Sequence, residues 1–381
     1  MQSKKIAFIP PNGEIIEQDF ALDRIINYFD KIGIECFLLL NNQDVPDNRL
    51  SHIHKIIFHG TEKIIQHLEV NQYDLIFSRT WMHRYSFGAE LAKRFDNVIT
   101  YIKDWHNFPK DVYEFVYKTV DDIKAIQEIF QYSQLVLSHY SNEYMEFLYR
   151  EYNIHRTKNY FFFPEYSHKN NFYEKIHKSY NIETIKIVFA GGGTHSSIPS
   201  QIGPVKSFLF TIAQLSEQKI SVTQMVLAKF YKRMEENPIL YQDLLYENQF
   251  NPFFSLKLGE NLMSSIGENY HFGIFTDSNY QKNNLFEYAE AYAITSKFAF
   301  YLECGLPLLV NKRFKTLSQL IEEHHIGLTF DDEDLKDFKK VLNISEDKYH
   351  KIVTNIYTFR EKFTYNNKTM EPLFNLFHKE L

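Results

Sequence analysis

The sequence predicts an α/β chain of two successive doubly wound parallel-sheet units, and three observations lead there. Short β-branched and aromatic runs alternate with longer amphipathic stretches from end to end, the pattern of parallel strands joined by crossover helices. The alternation stops after Pro164 in a polar, Lys-, His- and Asn-rich stretch and resumes at Ile185, as expected where few contacts cross. The 381 residues are 44% hydrophobic and 17% aromatic, enough apolar material for two cores, which excludes disorder as the general state.

In the first half, Lys5 to Pro10, Glu35 to Leu40, Lys55 to Phe58, Tyr73 to Phe77, Asn97 to Ile102 and Gln134 to Ser138 read as buried strands. Helical periodicity follows at Gln18 to Ile32 and at Asn142 to Tyr152, the latter opened by Ser141 as an N-cap. After the polar stretch, strands are expected at Ile185 to Ala190, Val222 to Leu227, Phe254 to Leu258, Phe272 to Phe275 and Leu306 to Val310, with a helix near Val205 to Gln218. The domains are therefore expected at 1–165 and 185–345, with a linker at 166–184. The tail 346–381 is amphipathic and is expected to form a helix that packs back across the boundary.

Charge and cysteine content remove several function classes. Forty-two Lys and Arg against 48 Asp and Glu give a net charge of −6, with no like-charged block of the kind that forms a nucleic-acid arm. Cys36 and Cys304 alone build neither a disulfide framework nor a cysteine zinc site, which fits a reducing compartment. His52, His54 and His59 have no carboxylate or thiol partner at matching spacing and are read as strand-edge features. The apolar run after Lys5 is too short for a signal-peptide core. Phe298 to Val310, interrupted by Glu303 and Gly305, is too short to span a bilayer. The expected location is cytoplasmic, and peripheral association with the inner face of a membrane stays compatible with the sequence.

Two segments carry chemistry. Ile187 to Ala190 runs into Gly191-Gly192-Gly193-Thr194; without Cβ atoms the backbone can approach an anion and offer N–H groups to phosphate oxygens. The run lacks the third glycine of a dinucleotide fingerprint and the G-K-[ST] ending of a P-loop, and the same glycines would suit a plain tight turn. Further on, Thr295 or Ser296 can cap a helix whose first turn carries Lys297, and Gly305-Leu306-Pro307 ends it. A cation beside free N–H groups at a helix N-terminus is poorly explained by the helix dipole, which prefers anions there. A bound phosphate explains it, and a solvated lysine is the alternative.

The order of these segments resembles that of GT-B glycosyltransferases throughout the chain. Lys186 to Gly193, Phe254 to Gly259, Phe272-Gly273-Ile274-Phe275 and the run Ser296 to Val310 are similar to the donor domain of that family. Tyr73 to Ser78, Val98 to Asp104 and Tyr132 to Ser138 with Tyr144 to Ile154 are similar to its acceptor domain. The pattern Lys-x-x-x-Tyr-Leu-x-x-Gly-Leu-Pro from Lys297 is especially like the galactofuranosyl- and glucosyltransferase-like branch. The glutamate pair of retaining family 4 enzymes is absent: Phe300 and Tyr292 stand at the aligned positions, and Glu303 lies one turn later. The acceptor-side His-Asp pair appears instead as Lys103-Asp104-Trp105-His106.

The resemblance implies two doubly wound domains facing a cleft and transfer of a hexose-like sugar from a nucleotide diphosphate sugar, UDP-sugar favoured. The acceptor would be a glycan, glycolipid or glycoprotein, as in bacterial surface polysaccharide or glycoconjugate synthesis. No nucleic-acid partner is expected, and no cofactor or bound metal is required. Gly191, Gly192, Gly193, Thr194, Thr295, Ser296, Lys297 and Asp277 would bind the donor. Apart from the resemblance, Arg79, Trp81, His83 and Arg84 follow the strand Asp74 to Phe77 as an expected loop that could bind a sugar or an acidic acceptor, the tryptophan face stacking on the ring, or could equally cap a helix; Gly13, Arg79 and Trp81 are the expected acceptor-binding residues. Asp104 or His106, beyond a strand end, would act as the general base, although the same loop would serve as an Asp-stabilised turn around a packed Trp105. A nucleotide-sugar epimerase of the same fold and a non-catalytic nucleotide- or glycan-binding protein are the alternatives.

Overall fold

The computed structural model describes residues 4–14, 20–41, 50–81, 84–103, 121–151, 154, 159–174, 178–191, 208–226, 228–236, 238–258, 262–276 and 291–377. The chain divides into two compact units, Met1–Tyr166 with Tyr365–Leu381, and Ser167–Thr364.

In the first unit the strands are β1 (Lys5–Ile9), β2 (Glu35–Asn41), β3 (His54–Phe58), β4 (Leu75–Thr80), β5 (Val98–Ile102), β6 (Leu135–Ser138) and β7 (Tyr160–Phe162). All pair in parallel in the order β3-β2-β1-β4-β5-β6-β7. The chain alternation of a strand sends successive side chains to opposite faces, and here both faces are covered. Ile6 and Phe8 share a core with Ile25, Ile26 and Phe29 of the helix Phe20–Lys31. Ala7 and Ile9 share another with Ile64 and Ile65 of the helix Thr61–Val70 and with Leu91 of the helix Tyr85–Arg94. That two-sided burial is why Ile6–Ile9 of β1 and Leu75–Phe77 of β4 are apolar at every position. The order reverses between β1 and β4, and loops beyond the C-terminal strand ends at such a switch point are where open α/β sheets bind ligands.

The second unit contains β8 (Lys186–Ala190), β9 (Ser221–Val226), β10 (Phe254–Leu258), β11 (Phe272–Phe275), β12 (Leu308–Asn311) and β13 (Gly327–Phe330). They form a parallel sheet in the order β10-β9-β8-β11-β12-β13. Its core joins Ile187, Phe189, Val222, Ile212, Leu309, Phe330, Phe338 and Tyr349. The switch point lies between β8 and β11. Two parallel doubly wound sheets are thus present, as the sequence predicts.

Several boundaries differ from expectation. β4 continues to Thr80, so Arg79 lies inside a strand, in register with Tyr101 of β5. β12 starts at Leu308 rather than Leu306, because Pro307 has no N–H to give a ladder and its carbonyl instead accepts the Gly273 N–H. The tail is two helices instead of one. Glu346–Lys362, capped by Ser345 through the Lys348 N–H, belongs to the second unit, and Glu371–Phe377 to the first. Between them, the Asn366 side chain accepts the N–H groups of Lys368 and Thr369 and closes a tight turn. Met370 and Leu373 then join the core of Ile6 and Phe8.

Residues expected as linker are hydrogen-bonded into the second unit where they are described. Ser167 donates to the Phe363 carbonyl, the Tyr173 N–H to the Glu303 carbonyl, and Arg360 to the Tyr173 carbonyl. Among the described residues no helix is long and apolar enough to cross a membrane.

Candidate functional site

In the second unit, Lys297 occupies the first turn of the helix Ser296–Glu303. Its Nζ lies 4.0 Å from the centroid of the Phe189 ring and 5.4 Å from that of Phe275. Those rings sit at the C-terminal ends of β8 and β11, so the ammonium stands at the switch point. The faces of both rings attract the ammonium through their quadrupoles, and Thr295, Ser296 and Lys297 are all half-buried. Thr295 takes the N-cap position in extended conformation, but its side chain makes no capping hydrogen bond.

Gly191 follows β8 with φ +150°, where a side chain would be strained, and a Cβ there would lie 3.3 Å from Lys297 Cε. Glycine at this position therefore lets the lysine stem lie against the backbone at the end of β8. Gly191 N–H is taken by the Met225 carbonyl (3.0 Å). Of the residues expected on the donor side, the structure brings together Gly191, Thr295, Ser296 and Lys297. Gly192, Gly193, Thr194 and Asp277 lie outside the described residues.

One turn further along the same helix face, Tyr301 is fully buried. Its hydroxyl accepts the Ala190 N–H (2.7 Å) and donates to the Val188 carbonyl (3.1 Å), with the Ile274 carbonyl 3.4 Å away. Burial pushes its ionisation far above the ordinary range, so it is a neutral hydroxyl. The ring is the reason for Gly273, since a Cβ there would come within 2.6 Å of it.

Glu303 faces away from this site. It is fully buried and its carboxylate accepts the His168 N–H (2.8 Å) and the Asn171 side-chain amide (3.2 Å), holding the turn at 168–171.

In the first unit the turn after β1 carries Asn12 at φ 54° and Gly13 at φ +74°. Gly13 N–H donates to the Pro10 carbonyl (2.7 Å), and a Cβ would lie 2.8 Å from the Asn41 backbone nitrogen. Close approach of this turn to the end of β2 requires glycine. Glu14 pairs with Arg84 at 2.5 Å.

Arg79 is buried, not displayed on a loop. Its guanidinium lies 3.0 Å from Glu165 and 4.4 Å over the Tyr101 ring. Lys103 is 3.8 Å from the same carboxylate and 4.6 Å over the Trp81 ring. Burial alone would raise the ionisation of Glu165, but Lys103, Arg79, His139 and Arg24 outweigh it and hold the group down to about 2. Arg79 and Trp81 thus do not act as a pair. The cation over Trp81 is the half-buried Lys103, while Arg79 is buried against Glu165 and Tyr101. Asp104 and His106 lie outside the described residues.

A family model described as Glucosyltransferase 3-like, C-terminal domain, matches residues 254–369, a segment that includes Lys297, Tyr301 and Glu303. A sequence comparison with curated proteins finds no match. Among solved structures, an alpha-glucosyltransferase in complex with UDP and a 13-mer DNA aligns with TM-score 0.61 and 13% identity over 99% of this chain and 100% of that one. The chain has the GT-B fold. The Anabaena protein HepE in complex with UDP and glucose aligns with this GT-B chain at TM-score 0.60 and 12% identity, over 98% of each. WaaG, a glycosyltransferase involved in lipopolysaccharide biosynthesis, aligns at 0.57 and 12%, over 97% of this chain and 98% of its own.

Sequence reasoning on this GT-B chain missed Glu165 and the hydroxyl role of Tyr301. Glu165 follows directly on Phe163-Pro164 at the end of β7, and an acidic residue at a C-terminal strand end was the available signal. Tyr301 belongs to the Lys-x-x-x-Tyr-Leu motif, but nothing in the sequence shows which backbone groups it meets.

Proposed function

We propose that the chain is a glycosyltransferase that moves a hexose-like sugar, glucose favoured, from UDP-sugar to a glycan or glycosylated acceptor. The observation that carries this reading is Lys297, held against Gly191 over the rings of Phe189 and Phe275 at the switch point of the second sheet. The match of this segment to a glucosyltransferase family model, and the UDP held by similar folds, support it.

Departure of the sugar leaves negative charge on the diphosphate. Lys297 and the first-turn N–H groups of its helix would stabilise that charge as it develops, with the N–H groups of Gly192 and Gly193; the Gly191 N–H is held by the Met225 carbonyl and does not take the part the sequence suggests for it. These groups take the part that a divalent cation takes elsewhere, so transfer is expected to proceed without added metal. On the acceptor side, Trp81 would stack on a sugar ring beside Lys103, with Gly13 shaping the loop after β1. Asp104 or His106 would take the acceptor proton if configuration inverts.

The net charge of −6 supports a glycan, glycolipid or glycoprotein acceptor over a nucleic acid, although one similar structure holds DNA beside UDP. Work at the cytoplasmic face of a membrane, building a bacterial surface polysaccharide or glycoconjugate, fits this reading.

The test is release of UDP from UDP-glucose on addition of oligosaccharide acceptors, with and without a metal chelator. Acceptor-dependent UDP release that survives the chelator is expected. Absence of UDP binding and of any sugar transfer would refute the proposal, and release of an isomerised UDP-sugar would replace it with an epimerase.

A further inference from the structure

We infer that Tyr301 is a positioning residue for the donor loop: its hydroxyl occupies one rung of the ladder between β8 and β11 and sets where the backbone leaves the sheet for the diphosphate. This inference rests on the donor reading above and deepens it.

The ladder on the two sides of β8 is unequal. Toward β9 the pairing runs through Ala190↔Met225, whereas toward β11 it stops at Gly273↔Val188. In a parallel pair, the next rung toward β11 would run from the Ala190 N–H to the Ile274 carbonyl. The Tyr301 oxygen stands between them, 2.7 Å from Ala190 N and 3.4 Å from Ile274 O. The strands are therefore parted by one hydroxyl at their C-terminal ends, where the switch-point crevice begins, and the Ala190 N–H that parting would orphan is satisfied by it.

The same helix face carries Lys297 four residues earlier, so one rigid turn fixes both the exit of the backbone at Ala190-Gly191 and the ammonium that lies against it. Gly273 makes room for the ring. Removing only the hydroxyl would let Ala190 bond directly to Ile274, closing the gap and drawing Gly191 away from Lys297.

The experiment compares calorimetric UDP affinity and thermal midpoint in wild type, Tyr301→Phe, Lys297→Ala and Tyr349→Phe. Tyr349 is a buried tyrosine whose hydroxyl donates to the His271 carbonyl (3.2 Å), at the opposite end of β11, so Tyr349→Phe reports the loss of a buried hydroxyl alone. Both tyrosine variants are expected to melt earlier, and only Tyr301→Phe to bind UDP about tenfold more weakly, the affinity equivalent of one hydrogen bond. Wild-type affinity in Tyr301→Phe, or an equal loss in Tyr349→Phe, overturns the inference. If Lys297→Ala weakens UDP while Tyr301→Phe does not, the inference alone falls. If the wild type binds no UDP, the donor reading falls with it. A measurement on the unmodified protein stands beside these: the Ala190 amide should be protected from hydrogen exchange without UDP, and rapid exchange there overturns the clamp.

Discussion

The Arg79 guanidinium lies 3.0 Å from the Glu165 carboxylate, and both side chains are shielded from water. Strand β4 supplies the arginine and the segment after β7 the glutamate, so the pair ties together two strand ends separated by β5 and β6. Removing one member of a buried pair leaves an uncompensated charge, and Glu165→Gln is expected to cost about 3–5 kcal/mol of stability by urea unfolding. The pH dependence has a definite sign. The folded-state ionisation is depressed from 4.5 to about 2, so the contribution is complete above about pH 4.5 and is lost as pH falls toward 2. Glu165→Gln should therefore show a shallower loss of stability over that interval than wild type. Equal slopes would mean that the carboxylate is not held ionised by its neighbours.

Glu303 tests whether a carboxylate close to the donor helix belongs to the donor site. Because it accepts from the His168 backbone and the Asn171 side chain, Glu303→Gln should lower stability by about 1–3 kcal/mol, the cost of disturbing buried hydrogen bonds. UDP affinity should stay at the wild-type value. Loss of UDP binding with unchanged melting would assign Glu303 to the ribose instead.

Acceptor-side chemistry should separate from donor binding. Asp104→Asn and His106→Ala are expected to leave UDP affinity nearly intact, while the residue that serves as base lowers turnover by about 10²- to 10⁴-fold. Wild-type turnover in both would move the base elsewhere or point to retention of configuration. Loss of UDP binding in both would make the loop structural.

The strands were the most legible part of this chain, because a strand buried on both faces must be apolar along its length. β10 and β11 fall on the residues expected, Phe254–Leu258 and Phe272–Phe275. The end of β4 was not legible: Arg79 is a charge inside a strand, and its pairing with Glu165, 86 positions away, is what the local sequence does not show. Glu303 poses the same difficulty, since its partner His168 is 135 positions distant. Lys297 was readable because a cation in the first turn of a helix runs against the helix dipole. Tyr301 was not, because aromatic residues are common in this chain and a hydroxyl inserted into a ladder leaves no periodic trace.

The central claim is that the donor diphosphate rests on Lys297 and the loop that begins at Gly191. Calorimetric titration of UDP into wild type, Lys297→Ala and Lys297→Arg tests it most directly. Lys297→Ala should weaken binding by about 1–3 kcal/mol, the worth of a charge-assisted hydrogen bond in a partly dry site. Lys297→Arg should recover only part, because a planar fork does not replace a point charge beside Gly191. Equal UDP affinity in wild type and Lys297→Ala would contradict the claim and remove Lys297 from the site.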